Sequence, residues 1–169
     1  KNIYILTGYK GEKFNKFNRK YANVIPIKCI REREKLGTGG ALFQIKNFVS
    51  KRFILINGDS YINYNFHKFV NIDLKNKKIG RMLMVTNTYS KLNAKLSRLN
   101  IKKNGNLEFN GNLMNAGVYL LDRKIFKYLS LNKLSLETDV IPKLIDKNLM
   151  SGFYVKDKLL DIGSYSNLK

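Results

Sequence analysis

The stretch Leu36-Gly37-Thr38-Gly39-Gly40-Ala41-Leu42, followed ten residues on by Phe53-Ile54-Leu55-Ile56-Asn57-Gly58-Asp59, sets the reading of the fold. Glycines open a helix whose apolar face is Ala41, Ile45 and Phe48, and an apolar strand then stops at a polar turn. Upstream, Asn2 to Leu6 reads as a strand ended by Thr7-Gly8. Glu12 to Lys20 reads as a helix with Phe14 and Phe17 three apart. Val24 to Ile30 is apolar enough to be a strand buried on both faces. Strand, helix, strand, helix, strand predicts βαβ units and an α/β fold with a mainly parallel sheet flanked by helices. Right-handed crossovers would gather the strand ends on one edge, where open sheets bind ligands.

The second half alternates less regularly. Gly80 to Asn87, Leu96 to Lys102 and Leu113 to Leu121 read as strands, with a hairpin at Lys103-Asn104-Gly105-Asn106. Arg123 to Leu129 and Glu137 to Lys147 read as helices. Phe153 to Val155 and Lys158 to Leu160 read as short strands, with Asp157 in the turn between them. The 169 residues suit one domain with a hydrophobic core, and no internal repeat or linker divides them.

Hydrophobic residues at 44% and charged residues at 26% are ordinary for a globular protein. No apolar run approaches the roughly 20 residues that cross a bilayer, and the first residues lack the long apolar stretch and small-residue cleavage site of a signal peptide. A cytoplasmic protein without a membrane partner is expected. The net charge of +20 comes mostly from scattered lysine; arginine supplies seven of the 32 basic residues. A specific nucleic-acid reader concentrates arginine and aromatics on one element, so no specific nucleic-acid partner is expected. Phosphorylated small molecules suit the charge equally well. Cys29, the only cysteine, excludes an intramolecular disulfide and reads as a small core residue rather than a nucleophile.

Asp59 leaves an apolar strand directly after Gly58, where a carboxylate can hold a hard cation such as Mg²⁺; the same tripeptide also reads as a plain turn. Asp161 repeats the arrangement after Lys158-Leu159-Leu160, with a turn or a helix cap near Ser164 as the alternative. The glycines at 37–40 would present backbone N–H groups to a base edge or an anion, or form a flexible loop. They match neither a phosphate-binding Walker loop nor a dinucleotide fingerprint. Asn115-Ala116-Gly117 places a glycine inside a strand, a mark of close approach. Glu137 and Asp139 open a helix and can serve as its caps. His67, the sole histidine, reads as packing or surface.

Taken in order, Leu6-Thr7-Gly8-Tyr9-Lys10-Gly11-Glu12, Glu34 to Leu42, Ile56-Asn57-Gly58-Asp59, Met114 to Leu121, Ser135 to Pro142 and Asp161-Ile162-Gly163-Ser164 resemble the superfamily of sugar-1-phosphate nucleotidyltransferases. The Gly-Thr-Gly-Gly and Asn-Ala-Gly-Val-Tyr strings look most like its bacterial heptose- and mannose-1-phosphate guanylyltransferases. The resemblance implies a Rossmann-like mixed sheet of the nucleotide-diphospho-sugar transferase type. It implies nucleotidyl transfer, GTP favoured, from a nucleoside triphosphate to a heptose or hexose 1-phosphate. Asp59 and Asp161 would be catalytic and hold Mg²⁺. Leu36, Gly37, Thr38 and Gly58 would bind the nucleotide, and Asn115, Gly117 and Glu137 the sugar; a homodimer is among the assemblies implied. A regulatory homologue that senses nucleotide sugars with the same fold is the alternative. The family's N-terminal strand and glycine-rich loop, and its Glu-Lys pair before the Asn-Ala-Gly strand, do not occur in the sequence. The domain is therefore expected to be incomplete before Lys1 and near residues 108–112, and a chain truly lacking both to be inactive.

Overall fold

The computed structural model describes residues 2–21, 23–74, 77–87, 96 and 98–163, with the side chains of Asn18 and Asp161 left aside. Its centre is the ten-residue strand β8 (Leu113–Asp122), joined to β5 (Gly80–Thr86) along one edge. Along the other edge, β3 (Arg52–Ile56) pairs with Val118 to Asp122, and β6 (Leu99–Ile101) with Leu113. β7 (Leu107–Phe109) flanks β6, and β9 (Met150–Tyr154) runs parallel to β5. Residues 110–112 carry the chain over the end of β6, so that Leu99 faces Phe109 on one side and Leu113 on the other. Two smaller ladders complete the sheet structure. β1 (Ile3–Thr7) lies parallel to β2 (Ile27–Arg31), with α1 (Asn15–Tyr21) between them in the chain, and β4 (Ser60–Ile62) antiparallel to β10 (Leu159–Asp161).

The α/β class stands, but the mainly parallel sheet does not. Among the described residues only β1–β2 and β5–β9 are parallel; β3, β5 and β6 all meet β8 antiparallel. Apolar runs such as Leu83-Met84-Val85 and Val118-Tyr119-Leu120 are the same whichever way a buried neighbour runs, so strand direction leaves no mark in them. The run at 24–30 is not buried on both faces either: Val24 is 75% exposed, and the strand begins only at Ile27. The strand expected at 96–102 shortens to β6, residue 97 lying outside the described residues. β9 and β10 are short strands with a bend at Asp157 between them, as expected, and each pairs with a different neighbour.

Both faces of the central sheet are covered. Met82, Met84, Tyr119 and Leu121 point to one side, where α2 (Gly37–Phe43), a 3-10 turn at Arg123–Tyr128, a π-helical turn at Leu136–Val140 and α4 (Ile141–Asp146) cover them. Leu136, Ile141 and Leu144 are fully buried there, each worth about 2 kcal/mol of apolar transfer. Leu83, Val85, Val118 and Leu120 point to the other side, against Ile62, Phe69 and Val155. Phe69 lies in α3 (His67–Asn71), an element absent from the sequence reading. No helix among the described residues is long and apolar enough to cross a membrane.

Arg81 sits inside β5 at 6% exposure. Its guanidinium donates to the carbonyls of Phe69 (2.9 Å), Ile72 (2.7 Å) and Asp73 (2.9 Å), closing the end of α3. Burial lowers its pKa from the usual value, with Arg52 adding to this and Asp73 opposing it. Arg81→Met would leave three carbonyls without their donor. It is expected to cost about 3 kcal/mol, read as a lower urea midpoint at unchanged slope.

Candidate active site

β3 delivers Asn57, Gly58 and Asp59 at its carboxyl end, and the neighbouring bend in β8 shapes what surrounds them. Between Met82 and Met84 the β5–β8 register slips, so that Leu83 of β5 stands opposite the stretch Ala116 to Val118. Gly117 takes φ 71°, and the Asn57 N–H donates to its carbonyl at 2.8 Å. A Cβ at Gly117 would lie 2.5 Å from Ser60 Oγ and 3.2 Å from Asn57 Cβ. Glycine therefore meets two demands at once: the left-handed backbone and the close approach of the turn at 57–60.

The bend also occupies Asn115. Its Oδ1 accepts from the Gly117 N–H (2.9 Å), and its Nδ2 donates to the buried Tyr119 hydroxyl (2.5 Å). Burial first, and then the nearby Glu137 carboxylate, raises the Tyr119 pKa far above its ordinary value; the Asn115 amide opposes them.

The glycine-rich segment is clamped rather than open. Gly39 and Gly40 donate their N–H groups to the Leu134 carbonyl at 2.8 and 3.3 Å, and the Leu134 N–H donates to Leu36 O at 2.8 Å. Gly37 has φ 72°, and a Cβ there would come within 2.6 Å of the Leu134 oxygen. The expectation that these glycines present their N–H groups to a ligand thus fails for Gly39 and Gly40, whose donors are spent within the protein. Glu32, absent from the sequence reading, accepts from the Leu36 N–H at 3.1 Å.

Thr38 and Glu137 tie this segment to the end of β3. The Thr38 hydroxyl accepts from the Leu136 N–H (2.8 Å) and donates to Glu137 Oε2 (2.5 Å). Ser135 Oγ reaches the same oxygen at 3.4 Å, and Asn57 Nδ2 reaches Oε1 at 3.5 Å. Asp139, in contrast, is a cap: its Oδ2 accepts from the Ser135 N–H at 2.8 Å, while Ser135 Oγ accepts from the Thr138 N–H. Of the two acids that open this helix, one caps it and the other faces the site.

Asp59 is exposed, and its Oδ1 accepts from the Ser60 hydroxyl at 3.3 Å. The β4–β10 ladder sets Asp161 opposite Ser60, and the Ile162 N–H donates to Asp59 O at 2.8 Å. The main chains carrying the two aspartates are therefore neighbours. The alternative of a helix cap at Ser164 lies outside the described residues. Gly58 does not have positive φ, and a Cβ there would meet open space, so the turn itself does not require glycine at this position. His67 is exposed on α3, its ring 2.8 Å from the Asn71 amide. Cys29 is half-buried in β2. Among the described residues no three His, Cys, Asp or Glu side chains cluster as a metal site.

The family description "Nucleotidyl transferase" matches residues 1–169. The chain belongs to the nucleotidyl transferase family. This nucleotidyl transferase chain is 27% identical to the bifunctional protein GlmU of Methanocaldococcus jannaschii, over 96% of itself but 40% of that protein. It is 26% identical to the D-glycero-alpha-D-manno-heptose 1-phosphate guanylyltransferase of Campylobacter jejuni, over 96% of itself and 74% of that enzyme. The crystal structure of HddC from Yersinia pseudotuberculosis superposes with a TM-score of 0.76 at 25% identity, over 99% of this chain and 75% of HddC. HddC has also been crystallised in complex with GMP-PN.

Gly117→Ala is expected to cost at least about 2 kcal/mol, combining left-handed strain with the clash at Ser60, and to lower the thermal midpoint accordingly. Tyr119 gives a test by pH. Because folding raises its pKa, its contribution is complete below the unfolded value near 10 and is lost as pH rises from there towards the folded value. Urea midpoints measured between about pH 9 and about pH 11 should fall more steeply for the wild type than for Tyr119→Phe.

Proposed function

We propose that this chain is the core of an enzyme that transfers a nucleotidyl group from a nucleoside triphosphate to a sugar 1-phosphate, releasing pyrophosphate. The observation that carries the reading is the meeting of Leu36–Thr38, Asn57–Asp59, Asn115–Gly117 and Glu137 at the carboxyl end of β3, joined by the hydrogen bonds of Thr38, Asn57 and Glu137. Open α/β sheets place ligands at such an end. GTP and a heptose or hexose 1-phosphate are the favoured substrates, supported by the similarity to the Campylobacter heptose guanylyltransferase and by the GMP-PN complex of HddC. The nucleotide lies against Leu36, Gly37 and Thr38. Gly58, with open space where a side chain would stand, leaves room for a substrate beside Asp59.

Glu137 and the backbone around Asn115 and Gly117 face the sugar. Glu137 supplies the acceptor. Asn115 shapes the wall, since its own amide is engaged with Gly117 and Tyr119. An oxygen of the sugar 1-phosphate attacks the α-phosphorus in line, and the bond to the bridging oxygen of pyrophosphate breaks. The attacking oxygen is already ionised at neutral pH, so the step needs positioning and charge neutralisation rather than a protein base. This agrees with the place of His67, held to Asn71 on α3.

The residues present fit Mg²⁺. Asp59 is an exposed oxygen donor whose main chain adjoins that of Asp161, and this ion typically takes one or two carboxylates and fills its remaining positions with water and substrate phosphate. Asp59 and Asp161 would hold it, and when bound it neutralises charge on the phosphate oxygens.

The test is pyrophosphate release by the whole protein across the four nucleoside triphosphates and a panel of sugar 1-phosphates. Asp59→Asn and Asp161→Asn are each expected to lower turnover by at least about a hundredfold while leaving the thermal midpoint within a few degrees. Full activity in either variant would remove that aspartate from the proposed centre. No release from the wild type with any pair would overturn the function.

A further inference from the structure

We infer that Thr38 is a positioning residue that makes the sugar side of the site depend on the nucleotide-side loop. The inference rests on the role proposed above for Glu137. The Thr38 hydroxyl has one proton, and it is spent on Glu137 Oε2 at 2.5 Å, while Thr38 Oγ1 itself accepts from the Leu136 N–H at 2.8 Å. A hydroxyl so engaged has no proton left to donate to a nucleobase. Its work is to hold a carboxylate.

The other contacts to Glu137 are longer, Ser135 Oγ at 3.4 Å and Asn57 Nδ2 at 3.5 Å, so Thr38 is its shortest tether. Thr38 in turn belongs to a segment fixed by main-chain bonds: Leu134 O accepts from Gly39 and Gly40, Leu36 O accepts from Leu134, and Glu32 holds the Leu36 N–H. A displacement of Leu36–Gly40 on filling the nucleotide subsite is therefore passed through one short bond, that of Thr38 to Glu137. Glu137 is half-buried, and a hydrogen bond donated to a charged carboxylate is among the stronger ones that can orient it.

Steady-state kinetics on the whole protein test this. Thr38→Val keeps the shape and removes the hydroxyl. It is expected to raise the KM for sugar 1-phosphate about tenfold or more, as loss of a hydrogen bond to a charged group implies, with the nucleotide KM changed less than about threefold. Thr38→Ser restores the hydroxyl and should bring the sugar KM back to within about threefold of wild type. If Thr38→Val does not fold, Thr38→Ala carries the same comparison; failure of both to fold makes the hydroxyl a folding element and overturns the assignment. A rise in the nucleotide KM alone makes Thr38 a reader of the base, and unchanged KM values for both substrates make it idle; either result overturns the inference while leaving the proposed function standing. A wild type that releases no pyrophosphate refutes that function, and this inference with it.

Discussion

Strand β8 can serve three neighbours only because its backbone changes course at Gly117. Towards its carboxyl end it is an ordinary central strand between β3 and β5. Beyond the bend it has slipped against β5 and lost β3, whose last tie to it is the Asn57 N–H on the Gly117 carbonyl. That single left-handed residue lets the turn at 57–60 come in closely, aims Asn115 inward and buries the Tyr119 hydroxyl beneath it. Any side chain at 117 would push Ser60 away, and with it the ladder that sets Asp161 beside Asp59. The local backbone and the arrangement of the acids are one constraint.

Charge is handled in two different ways. Most of the +20 lies on exposed lysines, where water screens it. Arg81 is the exception, a cation committed to three main-chain carbonyls under the central sheet. The acids are few, and some of them hold the frame of the candidate site. Glu32 and Glu137 grip the glycine-rich segment, Asp139 caps a helix, and Asp59 stands open to solvent.

The sequence carried the element types well where the period was long and apolar, as at 80–86, 113–122 and 52–56. It also singled out the residues proposed for the site, because polar residues interrupting such runs, Asn57-Gly58-Asp59 above all, had no core to join. Strand direction was illegible: a buried run is apolar on both faces whether its neighbour runs with it or against it, and the antiparallel neighbours of β8 could not be foreseen. Short elements such as β4 and α3 were missed because three to five residues hold too little periodicity. Arg81 carries no sequence signal of its own, since only the fold shows three carbonyls converging on it. Leu134 left no signal at all, because it acts through its main chain, which every residue shares. The free N–H groups expected at 39 and 40 were a misreading of the same kind: glycine marks where two backbones approach, without saying whether the visitor is a ligand or the protein itself.

The anchorage of Leu36–Gly40 by Leu134 separates shape from side-chain identity. Peptide groups on both partners hold the segment, so its curvature survives any exchange at Leu36 that respects volume. On the nucleotide role proposed for Leu36, drift at that position would retune which base is accepted while the underlying cradle stays intact. A fold that grips its own loops by the main chain is thereby open to new substrates by single steps.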